Sequence, residues 1–246
     1  MKTHPALTHE NIIFFSDFDG TIILEDSTDT LVKLYGSEQD KLDEALFAQG
    51  KATHRDVMER HYRAMRPTPA LFEAVMETMP LDPAFPMFYH AVRALGIEFY
   101  VLTGGAAEGV HGYLAKNGLG EVVVYGNSLY VDNHTLLMKC GDAAEETFCK
   151  KGLCGHCKTK HLEEARKQGK AVIYIGDGLT DLCAASHTDF LFAKDVLAHR
   201  CEKSGVPFMP FTGFCDIYRY FFQKNNAILR HNAVRKHSVA IPTAQD

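Results

Sequence analysis

Three short apolar runs in this chain stop on small polar or acidic residues, and that pattern constrains its fold more than any other feature. Ile12-Ile13-Phe14-Phe15 ends at Ser16-Asp17, Phe99-Tyr100-Val101-Leu102 ends at Thr103, and Ala171-Val172-Ile173-Tyr174-Ile175 ends at Gly176-Asp177. Runs this short, rich in β-branched and aromatic residues and bounded by Gly and Asp, read as buried strands of a parallel sheet. Parallel strands bring their carboxyl ends to one edge, where open α/β sheets bind ligands. The expected fold class is α/β, with a doubly wound, mostly parallel sheet.

The polar residues at those ends carry chemistry. In Asp17-Phe18-Asp19-Gly20-Thr21 the two acids lie two apart, so an extended backbone points both carboxylates the same way. Gly20 lets the chain turn and Thr21 offers a hydrogen bond within that turn. Neighbouring carboxylates that share a site tend to separate their proton affinities, which allows one to stay ionised, able to attack phosphorus, while the other carries a proton for a leaving oxygen. Gly176-Asp177-Gly178-Leu179-Thr180-Asp181 adds two more acids. Unit charges a few ångströms apart interact at about 4 kcal/mol in a surface-like dielectric, so these acids and a phosphate dianion need an intervening cation. Oxygen ligands together with phosphate favour Mg2+ over Zn2+.

Taken together, Asp17-x-Asp19-Gly20-Thr21, Thr103 at a strand end, a lysine ahead of the last motif, and Gly176-Asp177-Gly178-x-x-Asp181 resemble the four motifs of the haloacid dehalogenase superfamily. Cys154-Gly155-His156-Cys157-Lys158 narrows the likeness to the phosphoserine phosphatase-like branch. It is similar to the Cys-Gly-x-Cys-Lys of methylthiopentenyl-phosphate phosphatases and the Cys-Lys of phosphoethanolamine/phosphocholine phosphatases. The resemblance implies that Asp17 forms an aspartyl-phosphate, that Asp19 acts as general acid and then base, and that Lys158 is the motif lysine. It also implies Mg2+ held by Asp17, Asp177 and the Asp19 backbone carbonyl, with Asp181 supporting the metal shell. Thr103, the Gly104 amide and Lys158 would cradle the phosphoryl oxygens, and Asp26 stands where relatives carry an acidic substrate contact.

Each motif has a plainer reading beside it. Thr103-Gly104-Gly105 also describes an ordinary βα turn, although the helix expected over 106–116 would aim its amides at an anion. Lys150, Lys151 and Lys160 compete with Lys158 within one basic stretch. Cys149, Cys154, His156 and Cys157 invite a zinc site, against which stands their cramped spacing. Asp26-Ser27 is equally a helix N-cap. On the same fold, a phosphoryl-transfer mutase and a non-catalytic metal- or phosphate-binding protein are the alternatives to hydrolysis.

Between the first two motifs, four helical segments (28–34, 38–49, 54–65 and 70–79) are separated by Gly36-Ser37, Gly50 and Pro67-Thr68-Pro69. The expected partition is a catalytic core of 1–26 and 84–224, a small helical cap of 27–83 inserted after the first motif, and a C-terminal tail of 225–246 without an apolar stripe. Such a cap favours a small soluble phosphomonoester. The charges of the 54–65 helix read as a solvated face with Asp56–Arg60 and Glu59–Arg63 pairs. Gly126-Asn127 between alternating runs, followed by Asp132-Asn133-His134, suggests a small hairpin. A helix over 162–167, another over 180–186 and a strand over 190–192 complete the core.

With 46% hydrophobic and 23% charged residues the chain has an ordinary globular composition. A formal net charge of -5 disfavours nucleic acid as a partner. No run approaches the roughly 20 apolar residues of a membrane helix, and seven cysteines without a signal peptide point to reduced thiols in the cytoplasm.

Overall fold

β1 (Ile12–Ser16) is buried at every position, a pattern that belongs to the middle of a sheet covered on both faces. In the computed structural model, which describes residues 11–141 and 156–224, β1 lies between β2 (Glu98–Ala106) and β5 (Ala171–Gly176), parallel to both. β3 (Val123–Asp132), β4 (Thr135–Lys139), β6 (Phe190–Ala193) and β7 (Met209–Pro210) complete a seven-stranded sheet of order β4-β3-β2-β1-β5-β6-β7. Only β4 runs antiparallel. From β1 the chain builds outward through β2 and β3, then crosses back to β5 on the other side. The crevice between the carboxyl ends of β1 and β5 is therefore the topological switch point, where such sheets take ligands.

Alternation along the strands divides the core into two layers. Phe14, Phe99, Val101 and Ile173 face α5 (Phe85–Ala94), α6 (Ala107–Lys116) and α10 (Phe214–Tyr218). Ile13, Phe15, Val172 and Tyr174 face α7 (Lys158–Lys167), α8 (Leu182–Ala185) and α9 (Asp195–Ser204). No helix is expected from the sequence over α5, which carries Pro86 near its start. Pro86 falls in the first turn, where a missing N–H costs nothing, and Phe85, Phe88, Tyr89 and Val92 then form a buried stripe.

Between β1 and α5 stand α1 (Ser27–Tyr35), α2 (Glu38–Ala48), α3 (His54–Met65) and α4 (Pro69–Thr78). Asp26, Ser37, Thr53 and Thr68 each accept a backbone N–H from the first turn, so every one of these helices starts on a side-chain cap. The chain leaves and re-enters the sheet region through a short paired stem. Leu24 N donates to Pro80 O at 2.8 Å, Asp82 N donates to Ile22 O at 2.9 Å, and Ile23 bridges Leu81. The expected Asp56–Arg60 pairing along α3 gives way to a bond between helices, Arg60 Nε to Asp43 Oδ2 at 2.8 Å. Asp56 instead binds the Thr53 hydroxyl at the cap.

Gly126-Asn127 is not a turn. β3 runs straight through both residues, and the chain reverses at Asn133 and His134, whose φ values of 44° and 66° suit a two-residue hairpin turn. A glycine is needed at 126 for close approach: a Cβ there would stand 2.6 Å from Thr103 Cγ2 and 3.0 Å from Gly105 O. Helix α7 begins at Lys158, four residues before the expected start, and the 180–186 helix is split into a 3-10 turn at Leu179–Asp181 followed by α8. Cys149, Cys154 and the 225–246 tail lie outside the described residues. Among the described residues, no helix is long and apolar enough to cross a membrane.

Phe88 is fully buried with its ring 5.5 Å from Phe14 and 5.3 Å from Phe214. Phe88→Ala is expected to lower the unfolding free energy by about 3–5 kcal/mol in urea titrations, the usual cost of emptying an aromatic core position.

Candidate active site

One buried cation organises the carboxyl ends of β1 and β5. Lys158 is only 1% exposed and sits at the first position of α7, the positive end of a helix and an unfavourable place for an ammonium. Its Nζ lies 2.8 Å from Asp17 Oδ1 and 2.6 Å from Asp181 Oδ1. Burial alone would strip its proton, but the two carboxylates outweigh that and raise its pKa, so it stays charged. This separates it from Lys160 two residues on, which is exposed. Lys150 and Lys151 lie outside the described residues.

Asp181 is held from all sides. Its Oδ1 accepts from Lys158 and from the Tyr174 hydroxyl at 2.6 Å, and its Oδ2 accepts from the amides of Asp177 and Gly178, each at 3.0 Å. Burial works to raise its pKa, yet the charge and hydrogen bond of Lys158, with those donors, hold the carboxyl below its ordinary value. Asp17, Asp177 and Asp181 offer oxygens within 4.8 Å of one another. With both Asp181 oxygens already committed to donors, Asp17 and Asp177 are the members with lone pairs to give a cation.

Asp17 follows β1, and its Oδ1 accepts from Lys158 and from the Phe18 amide at 2.7 Å. Oδ1 is thereby anchored, while Oδ2 makes no hydrogen bond among the described residues. Burial first, then Asp181 and Asp177, push its carboxyl well up, with Lys158 opposing. Asp177 is pushed up to about 7 by burial and by Asp181, against the Thr21 hydroxyl, which donates to its Oδ1 at 2.5 Å. Acids driven toward protonation by their own crowding form a donor set that suits a hard divalent cation. Gly20 lets this crowding exist: its φ is +69°, and a side chain there would collide with the Asp177 carboxylate.

Asp19 is half-buried and held by Ser27, whose amide and hydroxyl both donate to Oδ1, at 2.8 and 2.6 Å. Burial raises its pKa, with the Ser27 bonds and Lys158 opposing. A Cβ at Gly105 would lie 3.2 Å from Thr103 Oγ1 and 3.6 Å from Asp19 Oδ2, so the Thr103 segment and Asp19 face each other. Thr103 is fully buried, and its Oγ1 accepts from the Gly105 amide at 2.9 Å, leaving the hydroxyl hydrogen to donate. Strand β2 does not stop at Thr103 but bulges: Leu102 and Ala106 pair with Tyr125 and Asn127, so the three residues between them swell out of register.

Four contributors escape a reading of the sequence. Asn127, 1% exposed, donates through Nδ2 to Gly104 O at 2.7 Å and accepts from Gly141 N; its signal was the Gly-Asn pair, taken there for a turn. Ser27 was masked by its place in a helix start, and Tyr174 by its place in an apolar strand. His54 read as one more residue of a polar helix. Asp26, the candidate substrate contact, caps α1 through Oδ1, accepting from the amides of Thr28 and Asp29. Burial, then the charges of nearby Asp19 and Asp29, push its carboxyl well up. His156 and His161 place their Nε2 atoms 2.7 Å apart beside the buried Cys157.

Comparison with known proteins bears on this geometry. The family model for haloacid dehalogenase-like hydrolases matches residues 14–186. A 2-hydroxy-3-keto-5-methylthiopentenyl-1-phosphate phosphatase of Brevibacillus brevis is 26% identical over 223 residues, 89% of this chain and 99% of that protein. A polyol phosphate phosphatase of Saccharomyces cerevisiae is 26% identical over 225 residues, 83% of this chain and 90% of that protein. Among solved structures, a phospho-aspartyl intermediate analogue of phosphoserine phosphatase superposes with a TM-score of 0.64 at 17% identity, covering 85% of this chain and 98% of the other.

Removing the ammonium strands two buried carboxylates. Lys158→Ala is expected to cost about 3–5 kcal/mol of stability in chemical denaturation, whereas Lys160→Ala stays within about 0.5 kcal/mol.

Proposed function

The chain belongs to the haloacid dehalogenase-like hydrolase family, and on that basis we propose that it is a Mg2+-dependent phosphatase cleaving small phosphomonoesters through an aspartyl-phosphate on Asp17. The observation that carries this reading is the anchored Asp17. One oxygen is tied to Lys158 and the Phe18 amide while the other makes no hydrogen bond among the described residues. A carboxylate held this way is a preorganised nucleophile.

Asp17 Oδ2 attacks phosphorus and the ester P–O bond breaks. The departing alkoxide takes its proton from Asp19, whose carboxyl burial pushes up and whose Oδ1 bonds to Ser27 hold it in place. Asp19 then removes a proton from water as the water oxygen attacks the aspartyl-phosphate, releasing phosphate and restoring Asp17. The Thr103 hydroxyl, the Gly104 amide and Lys158 are the donors for the phosphoryl oxygens. Asn127 holds the Gly104 peptide from behind through its carbonyl.

Asp17, Asp177 and the Asp19 backbone carbonyl would hold Mg2+, with Asp181 behind them orienting Lys158 and the Asp177 backbone. When bound, the ion supplies charge neutralisation among the carboxylates and the phosphoryl oxygens. The helices of residues 27–83 serve as a cap over the crevice, consistent with a small substrate. The two curated relatives act, by their names, on a methylthiopentenyl phosphate and on polyol phosphates. Both are esters of small uncharged alcohols, and that class is the one we assign here.

Asp17→Asn is expected to lower kcat on p-nitrophenyl phosphate by roughly a thousandfold or more. EDTA should abolish turnover until Mg2+ is restored, and full activity in either case refutes the chemistry. A second expectation concerns pH. Asp177 titrates near 7, above its ordinary 3.8, so its protonation favours the metal-free fold at low pH and that contribution is lost as pH rises through 7. Asp177 would have to give up that proton to hold Mg2+. The Mg2+-induced rise in Tm should be larger at pH 8 than at pH 6, and a reversed order would remove Asp177 from the metal site.

A further inference from the structure

His54, at the start of α3, holds hydrogen-bonding capacity that the chemistry above does not use. Its Nδ1 is buried without a hydrogen-bond partner, although the residue as a whole is only half-buried. The ring lies over Gly104: a Cβ on that glycine would stand 3.0 Å from Cε1 and 3.5 Å from Nδ1. Phe47 of α2 packs edge-on against the ring at 5.2 Å. Burial, followed by the charges of Lys158 and His61, lowers its pKa to about 3, so the ring is neutral at any working pH. An orphaned buried polar atom costs about 1–3 kcal/mol, so its presence asks for a reason.

The neighbours of the ring supply that reason. The two glycines after Thr103 face different groups, Gly105 toward Asp19 and Gly104 toward His54. Further along α3, Tyr62 stands close enough to Asp19 and Asp26 that their charges add to burial in pushing its phenol up. This face of α3 therefore looks onto the carboxylates. A phosphoryl dianion is served by the cation of Lys158. A neutral imidazole, with one donor and one acceptor nitrogen, matches an uncharged oxygen.

We propose that His54 is a specificity-determining residue that hydrogen-bonds a hydroxyl or carbonyl oxygen on the alcohol portion of the substrate, selecting phosphate esters of small, uncharged, oxygenated alcohols. This deepens the phosphatase reading and rests on it. The ring rewards a substrate that completes its hydrogen bonding, and an alcohol lacking such an oxygen leaves Nδ1 stranded.

The test compares glycerol 1-phosphate with p-nitrophenyl phosphate, whose aryl group bears no hydroxyl, in wild type, His54→Phe and His54→Gln. His54→Phe keeps a ring against Phe47 and Gly104. It should reduce the ratio of kcat/KM for glycerol phosphate over p-nitrophenyl phosphate by about tenfold or more, the discrimination lost with one hydrogen bond to a substrate oxygen. Its Tm in the absence of substrate should be unchanged or higher, since a stranded polar atom has been removed. His54→Gln, which keeps a donor and an acceptor, should recover part of the ratio. An unchanged ratio in His54→Phe overturns the inference, as does a wild type active on p-nitrophenyl phosphate but inert on glycerol phosphate. A fall in Tm in both variants with no recovery by glutamine overturns it too, in favour of a purely structural histidine. Wild type inert toward both esters sinks the phosphatase reading itself and the inference with it.

Discussion

The ammonium of Lys158 shared by Asp17 and Asp181 is the interaction on which the rest of the site depends. Carboxylates packed at the end of a buried strand pair repel one another and resist desolvation, and the raised values of Asp17 and Asp177 record both pressures. A single cation bonded to two of these acids makes the cluster tolerable inside the protein. It also divides their labour. Asp181, surrounded by donors, is a permanent anion that orients its neighbours, while Asp17 keeps one oxygen uncommitted.

The sheet supplies the meeting point. β1 and β5 are adjacent although most of the chain separates them, and their registered pairing from Ile12↔Ala171 to Ser16↔Ile175 brings Asp17 and Asp177 just beyond neighbouring strand ends. The Asp17 amide continues the ladder by donating to Ile175 O at 2.8 Å. The short 3-10 turn after Gly178 then folds Asp181 back, so that its carboxylate receives the amides of Asp177 and Gly178. Catalytic geometry here follows from strand register and one tight turn.

Much of this was legible in the chain because parallel strands share an edge. Once the runs ending at Asp17, Thr103 and Asp177 are read as strands, the convergence of their polar ends follows, and the structure brings those residues together. Lys158 was legible only through its Cys-Lys context, since nothing local tells a buried lysine from an exposed one; the difference lies in partners more than twenty residues away. Gly126-Asn127 misled because the same dipeptide that suits a tight turn also suits close strand approach and a buried amide clamp. Helix α5 escaped the sequence reading, although its Pro86 does no harm in a first turn. Ser27, Asn127 and Tyr174 act by holding other residues, and a supporting role leaves no periodic trace in sequence.

The stem formed by Leu24, Pro80, Ile22 and Asp82 has a mechanical consequence. Because the outgoing and returning chains bond to each other before the helices begin, the entry and exit of that segment stay at a constant separation whatever lies between them. Substitutions among the helices can be absorbed there without disturbing the strands that bear the acids.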